Sequence, residues 1–408
     1  MFLQILLVAL ITSVGRACVP QHLDVRQVDQ NIQRRSLHTP SSSKIGIANV
    51  NLFTGTRFRR GALAIVGGRI TFDLKDVDQW INGNSGYLIP GLIDSHCHPG
   101  SIGDLKILSS YGVTSAMGMN CANYALCASM KDQPGLTSFF TAGHGIAAPG
   151  SAHALIFQTP PELLINSTAE ASMFVDYTFG NKSDWLKITA ENRGPSQETQ
   201  NRLVSLTHAA GKQAMTHAAG VDYYLQAIAS GTDGIQHTPG DRLLTADAIN
   251  GIKAHNKWVT ATMVLVKAFI ASPQALAVSS YTNESWPTVV QNVQKMYKAN
   301  VTLLVGTDAI PASTSSSLGG IQNPLGKTVH DELDVFVNQV GFTPAEALRA
   351  ATVLPAKMHR LSDRGVIEAG KRADLVLLRS NPLKNISATR DIVRVWNGGI
   401  EFNATAAL

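Results

Sequence analysis

Between residues 88 and 309 the chain repeats one pattern: a short apolar run, then a stretch with helical spacing. The runs read LIPGLIDSHCH, GVTSAMGM, LTSFFTAG, WLKITA, KQAMTHA, GIQHT, WVTATMV and VTLLVGTDA. Strands buried on both faces of a parallel sheet read as near-continuous apolar runs rather than alternating ones. Between them lie helix candidates such as ETQNRLVSLTHAAG and VDYYLQAIASG. Eight strand-helix alternations over roughly 270 residues predict an α/β fold, a closed (β/α)8 TIM-type barrel over residues 90–362. The competing open doubly wound sheet predicts a glycine-rich phosphate loop after the first strand. None follows LIPGLIDSHCH.

The flanks have a different texture. KIGIANVNLFTG, ALAIVGGRITF and SGYLIP near the start, and GVIEAGKRADLVLL and IVRVWNGGIEF near the end, are short β-like runs separated by Gly and Asn. We expect them to form one small β-sandwich from both chain ends, residues 44–89 and 363–408, with the barrel inserted between. Residues 1–17 read as a signal peptide: an uncharged apolar run too short to span a bilayer, then Gly15-Arg16-Ala17. Residues 18–43 are polar and carry Arg34-Arg35, as expected of a flexible arm or a propeptide. N-x-S/T sequons begin at Asn166, Asn181, Asn283, Asn300, Asn385 and Asn403, and that density suits a glycoprotein on a secretory route to the extracellular space. Asn300 directly precedes an apolar strand and is expected to be shielded. Cys121 and Cys127 are either a disulfide or two unpaired small apolar residues. The net charge of +5 is scattered, with no basic run interleaved with aromatics, so neither a nucleic-acid nor a membrane partner is expected. Assembly into a homo-oligomer is left open.

In a barrel of this type, the site sits at the C-terminal ends of the strands. Those ends carry His96-Cys97-His98, Lys187, His217, His237 and Asp308, with Lys187 expected near the end of its strand. His-x-His on an extended strand turns both imidazoles to one face, ready for a borderline-soft cation such as zinc. A lysine closing a buried strand is costly and would repel a cation. Carbamylation of Lys187 by carbon dioxide converts it into an anion able to bridge two divalent metal ions; the competing reading is a surface ion pair with Asp184 or Glu191. His217 and His237 end successive strands and are expected as ligands. Asp308 is expected to bind metal and to take the proton of bound water. His144, in TAGHGIAAPG, either polarises a substrate carbonyl or is an ordinary loop histidine. Tyr223, Tyr224 and His330 are expected to pack, and His153, His208, His255 and His359 to be structural or exposed.

With these residues in view, the chain resembles the metal-dependent amidohydrolase superfamily, in its imidazolonepropionase-related, Xaa-Pro-dipeptidase-like branch, which includes ochratoxin-cleaving amidases. The motifs that carry the resemblance are LIPGLIDSHCH, SYGVTSAMGM, SDWLKITAE, THAAG, GTDA, HDELDVFV with GFTPAEALRAATVLPAKMH, and GVIEAGKRADLVLLRSNPL. It implies a barrel with a small β-sandwich, two divalent ions, usually zinc, and a carboxylated lysine. His96 and His98 would hold the more buried ion, Lys187 would bridge, and His217 and His237 would hold the second. Asp308, His144 and His237 would take part in catalysis. The chain departs from the pattern at Ala219, where relatives often have histidine, and in short stretches after His98 and Lys187. The expected activity is hydrolysis of an amide or peptide-like C–N bond by metal-bound hydroxide. N-acyl amino acids, dipeptides or mycotoxin-type amides are the expected small substrates. The alternatives are a lactonase, a cyclic-imide hydrolase or a deaminase on the same scaffold, or an inactive binding protein.

Overall fold

The structure, a computed structural model, describes residues 43–281, 283–314 and 319–403. The expected signal peptide, and the arm up to residue 42, lie outside the described residues.

The chain enters through β1 (Ile45–Phe53), β2 (Phe58–Val66), β3 (Arg69–Thr71), β4 (Gln79–Asn82) and β5 (Tyr87–Pro90). LIPGLIDSHCH then divides at Gly91, where a Cβ would lie 2.1 Å from the Thr114 hydroxyl. Beyond that close approach come β6 (Leu92–Cys97), β7 (Val113–Gly118) and β8 (Ser138–Thr141), which form a parallel three-stranded sheet. The next strands are β9 (Leu186–Ala190), β10 (Ala214–Ala218), β11 (Gly234–Gln236), β12 (Trp258–Thr260) and β13 (Thr302–Leu304). They make a parallel five-stranded sheet in sequence order.

The edges of these two sheets touch at both ends. Past β8, Ile146 donates to the Lys187 carbonyl at 2.9 Å and accepts from Thr189 N–H at 3.1 Å. Past β13, Ala309 bridges to Cys97, and the His98 N–H reaches the Ala309 carbonyl at 2.8 Å. The strands β6, β7, β9 and β10 are buried at every position, as strands covered on both faces must be.

β14 (Leu375–Leu378), β15 (Ile392–Asn397) and β16 (Ile400–Glu401) return to the first sheet. β14 pairs antiparallel with β5, so strands from both flanks build one eight-stranded sheet. Its own apolar cluster includes Ile47, Leu63, Leu88, Leu375 and Trp396.

Four expectations about local structure are corrected or settled. WVTATMV is a strand only to Thr260, and Met263–Ile270 is helical. The buried carboxylate of Glu332 accepts the Met263 and Val264 N–H groups at 2.8 and 2.9 Å, satisfying the free donors of the first turn. Lys187 is the second residue of β9 rather than near its end; its long side chain reaches the cavity from deeper in the strand. Asn300 is exposed, because it sits with φ of 59° in the turn after the helix Trp286–Lys298. Cys121 and Cys127 form a disulfide. Among the described residues no helix is long and apolar enough to cross a membrane.

Candidate metal centre

One cavity of about 300 Å³ is lined by His96, His98, His144, Lys187, His217, His237 and Asp308 together. Its base is held by backbone hydrogen bonds between the ends of β6 and the loop after β13. The His96 carbonyl accepts from Thr307 N–H at 3.0 Å and from Asp308 N–H at 2.6 Å. This approach requires Gly306, where a Cβ would lie 2.9 Å from the His96 nitrogen. Asp308 and His237 both adopt left-handed backbone, with φ of 51° and 78°. Non-glycine residues pay for that conformation and concentrate where a side chain must be aimed.

The Asp308 carboxylate is the hub. One oxygen lies 2.7 Å from His98 Nε2 and 3.3 Å from His96 Nε2, and the other lies 3.6 Å from His237 Nδ1. Burial opposes ionisation of Asp308, but the His96 and His98 imidazoles outweigh it and hold the carboxyl well below its ordinary value. His96 is pushed down to about 4, first by burial and then by Lys187. Burial likewise holds His217 and His237 well below the usual imidazole value. At neutral pH these three rings are uncharged and offer lone pairs, the form in which histidine binds a cation.

Lys187 is 4% exposed. Among the described residues no carboxylate comes within ion-pair distance of it, and burial lowers its ammonium to about 7. The surface-pair reading fails here: Asp184 is taken by Lys131 at 2.9 Å and Glu191 by His153 at 2.8 Å. His217 stands edge-on to His237 with centroids 4.4 Å apart, its Nε2 meets Ser280 Oγ at 2.8 Å, and its buried Nδ1 has no hydrogen-bond partner. His144 lines the cavity, with Nε2 3.3 Å from the Leu163 carbonyl and Nδ1 buried without a partner. An orphaned imidazole nitrogen, a buried lysine without a carboxylate and neutral rings around a carboxylate suit a donor set for divalent cations.

Several functional neighbours carried no clear sequence signal. Gln236 Oε1 meets His96 Nδ1 at 2.9 Å and Thr262 Oγ1 meets His237 Nδ1 at 2.8 Å, each fixing a ring orientation. Asp94 is fully buried, is pushed up to about 7 by burial, and accepts from Thr307 N–H and Oγ1 beneath the site. Gln236 directly precedes His237, and Asp94 lies two before His96, so spacing to a ligand was the only available clue. His153, expected to be structural or exposed, instead lines the cavity 4.2 Å from His217. It comes from the short helix Ala152–Ile156, whose placement no strand periodicity announces. Tyr224 is a packing residue whose hydroxyl donates to the His237 carbonyl at 2.5 Å. His330 bonds Thr389 and the Tyr111 carbonyl, away from the cavity.

A family model described as the amidohydrolase family matches residues 87–400, most of the chain and every residue lining this cavity. The chain belongs to the amidohydrolase family. This amidohydrolase is 27% identical over 212 residues to the ochratoxinase of Aspergillus niger, a match covering 49% of the chain and 38% of that relative. It therefore spans well under two thirds of the curated relative's length. Its fold is similar to a crystal structure of a Xaa-Pro dipeptidase with bound methionine, with a TM-score of 0.74 and 20% identity over 88% of this chain and 99% of the other. It is also similar to the crystal structure of A. niger ochratoxinase, with a TM-score of 0.73 and 19% identity over 89% and 96% of the two chains. Such neighbours imply a TIM-type barrel for the parallel strands.

Proposed function

We propose that this amidohydrolase-family chain is a secreted, metal-dependent hydrolase of an amide or peptide-like C–N bond in a small substrate. The observation that carries the reading is the convergence of His96, His98 and His237 on Asp308, with Lys187 and His217 lining the same cavity. We read the two parallel sheets as one (β/α)8 barrel closed through the contacts at Ile146 and Ala309, and the eight-stranded sheet as the accompanying small sandwich. A disulfide, exposed sequons such as Asn166 and Asn300, and the apolar start of the chain favour the secretory route.

In this reading His96, His98 and Asp308 would hold one divalent cation, and His217 and His237, with Lys187 as its carbamate, would hold a second. Zinc suits the nitrogen-rich set. Bound there, the cations supply Lewis acidity to a carbonyl and lower the pKa of water. The chain's own residues do the rest. Asp308 is ionised and poised to accept a proton from the attacking water and pass it to the departing amine. His144 lines the same cavity; with Nε2 donating to the Leu163 carbonyl, its unpartnered Nδ1 is an acceptor. The ring would donate to a developing oxyanion only by giving up that bond or by taking a proton. Leu126, Ile156, Phe157, Leu265, Phe269 and Ile310 line the remaining wall. Such a wall favours an apolar or aromatic acyl or amine group, and N-acyl amino acids, proline dipeptides and aromatic amides of mycotoxin type are the substrate classes it suits. The buried Lys187 argues against a one-metal deaminase.

The test is a hydrolysis screen of the zinc-loaded protein against these three classes, beside the Lys187→Ala variant. Amine release by the unsubstituted protein alone is the expected result. A folded, zinc-loaded protein that cleaves none of them, but opens lactones or cyclic imides, would overturn the amide reading.

A further inference from the structure

We infer that the disulfide-closed loop after β7, acting through Tyr124 and Asn120, is the positioning element for His144, an inference that rests on the reading of His144 as part of the hydrolytic site. His144 stands on the loop after β8 and is 3% exposed. Three successive residues of that loop are bonded to one short segment of the chain. The Gly143 carbonyl accepts from Cys121 N–H at 2.7 Å. The His144 N–H donates to the Tyr124 hydroxyl at 3.1 Å, and the Gly145 N–H donates to Asn120 Oδ1 at 3.1 Å. None of these bonds involves His96, His98, Lys187, His217, His237 or Asp308.

The segment that does the holding is itself fixed. The Cys121–Cys127 disulfide closes it, and Asn123 Oδ1 accepts the Leu126 N–H at 3.1 Å at the start of the helix Tyr124–Met130. The Tyr124 ring stands edge-on to Tyr177, centroids 5.5 Å apart. Gly143 has φ of 67°, and a Cβ there would lie 2.5 Å from the Tyr124 ring and 2.7 Å from its hydroxyl. Glycine before His144 is therefore what lets Tyr124 come close enough to take the His144 N–H. Asn120, Cys121, Asn123 and Leu126 also line the cavity beside His144. A group acting on a substrate loses much of its effect when displaced by about 1 Å. Removing the disulfide or the Tyr124 hydroxyl frees the backbone on which the His144 ring is mounted. The competing role for Tyr124 is packing against Tyr177 alone.

The experiment records nitrogen-15 histidine NMR spectra of the zinc-loaded protein, with His144 assigned by its absence in His144→Gln. The variants are Tyr124→Phe, which keeps the ring, and the pair Cys121→Ser with Cys127→Ser; circular dichroism verifies folding, and Tyr124→Phe decides if the cysteine pair does not fold. The unsubstituted protein is expected to show one His144 tautomer, with the proton on the Nε2 that faces the Leu163 carbonyl. In both variants that signal should shift or broaden while zinc content stays the same. On the best amide of the screen above, kcat should fall about 10-fold, with no further fall when His144→Gln is already present. An unmoved His144 signal in a folded variant would overturn the inference whatever the activity, as would kcat losses that multiply with that of His144→Gln. A moved signal with full activity in His144→Gln would leave the positioning contact standing and overturn the catalytic reading of His144.

Discussion

The two ends of the parallel strands are built on opposite principles. At the N-terminal ends, Ile93, Trp185, Met215 and Trp258 pack into one apolar cluster, all nearly inaccessible. At the C-terminal ends, strands or the loops just beyond them present His96, His217, His237 and Asp308 around a cavity, which Lys187 reaches from deeper in β9. One histidine belongs to the first end: His359, held between Trp185 and Trp258 at 5.5 and 5.7 Å, with neither ring nitrogen bonded. Burial pushes it down to about 3, as burial pushes down the rings at the other end. The difference lies in company. A single buried imidazole among tryptophans is a tolerated cost of packing; several beside a strained aspartate and an unpaired lysine are a cost that only a ligand offsets.

That contrast can be broken or sharpened by substitution. The largest effect is expected from Lys187→Met, which removes the proposed carbamate ligand: activity should fall by about 100-fold to 1000-fold, the scale of deleting an essential electrostatic group. Thermal melting of the chelated variant should meanwhile rise, because an unpaired buried amine is gone. Trp258→Ala strikes the opposite end, opening a cavity that costs about 3–5 kcal/mol in denaturant unfolding. Zinc content of its folded fraction should not change. Gln236→Ala leaves His96 without its orienting acceptor, and zinc affinity measured by chelator competition should weaken about 10-fold to 100-fold with little loss of melting temperature.

His359→Leu should produce the smallest change, a gain of about 1 kcal/mol at pH 7 from removing unsatisfied buried nitrogens. Its pH signature is more telling. The folded state holds His359 uncharged down to about pH 3 while the unfolded chain protonates it near its ordinary value of 6.5. Stability from this group is therefore present above pH 6.5 and lost as the pH falls from there toward 3. His359→Leu should flatten that acid limb in equilibrium unfolding, and an unchanged slope would show that the ring is hydrated rather than sealed.

Much of this was legible from the residues. Continuous apolar runs marked the parallel strands because both their faces are covered, and polar residues at or beyond the ends of those runs marked the site because burial without purpose is expensive. Where the reasoning failed, tertiary context decided. WVTATMV looks uniformly strand-like, yet Glu332, some seventy residues later, captures the N–H groups that let a helix begin at Met263. Lys187 sits deeper in β9 than its neighbours suggested, since a four-carbon stem lets a residue serve a rim it does not occupy. His153 was invisible as a site residue. It stands on a one-turn helix between strands, and only its contacts with Glu191 and His217 place it at the cavity. The orienting partners Gln236 and Thr262 have ordinary side chains in ordinary strand and loop sequence, so nothing but distance to a histidine distinguishes them.

The most direct test is a crystal structure of the zinc-loaded protein grown in bicarbonate, read by anomalous diffraction. The account predicts two zinc peaks about 3.5–4 Å apart within the cavity, one against His96, His98 and Asp308, with carbamate density on Lys187 between them. Zinc bound only elsewhere on the molecule, or a bare Lys187 amine turned away from a loaded site, would contradict it.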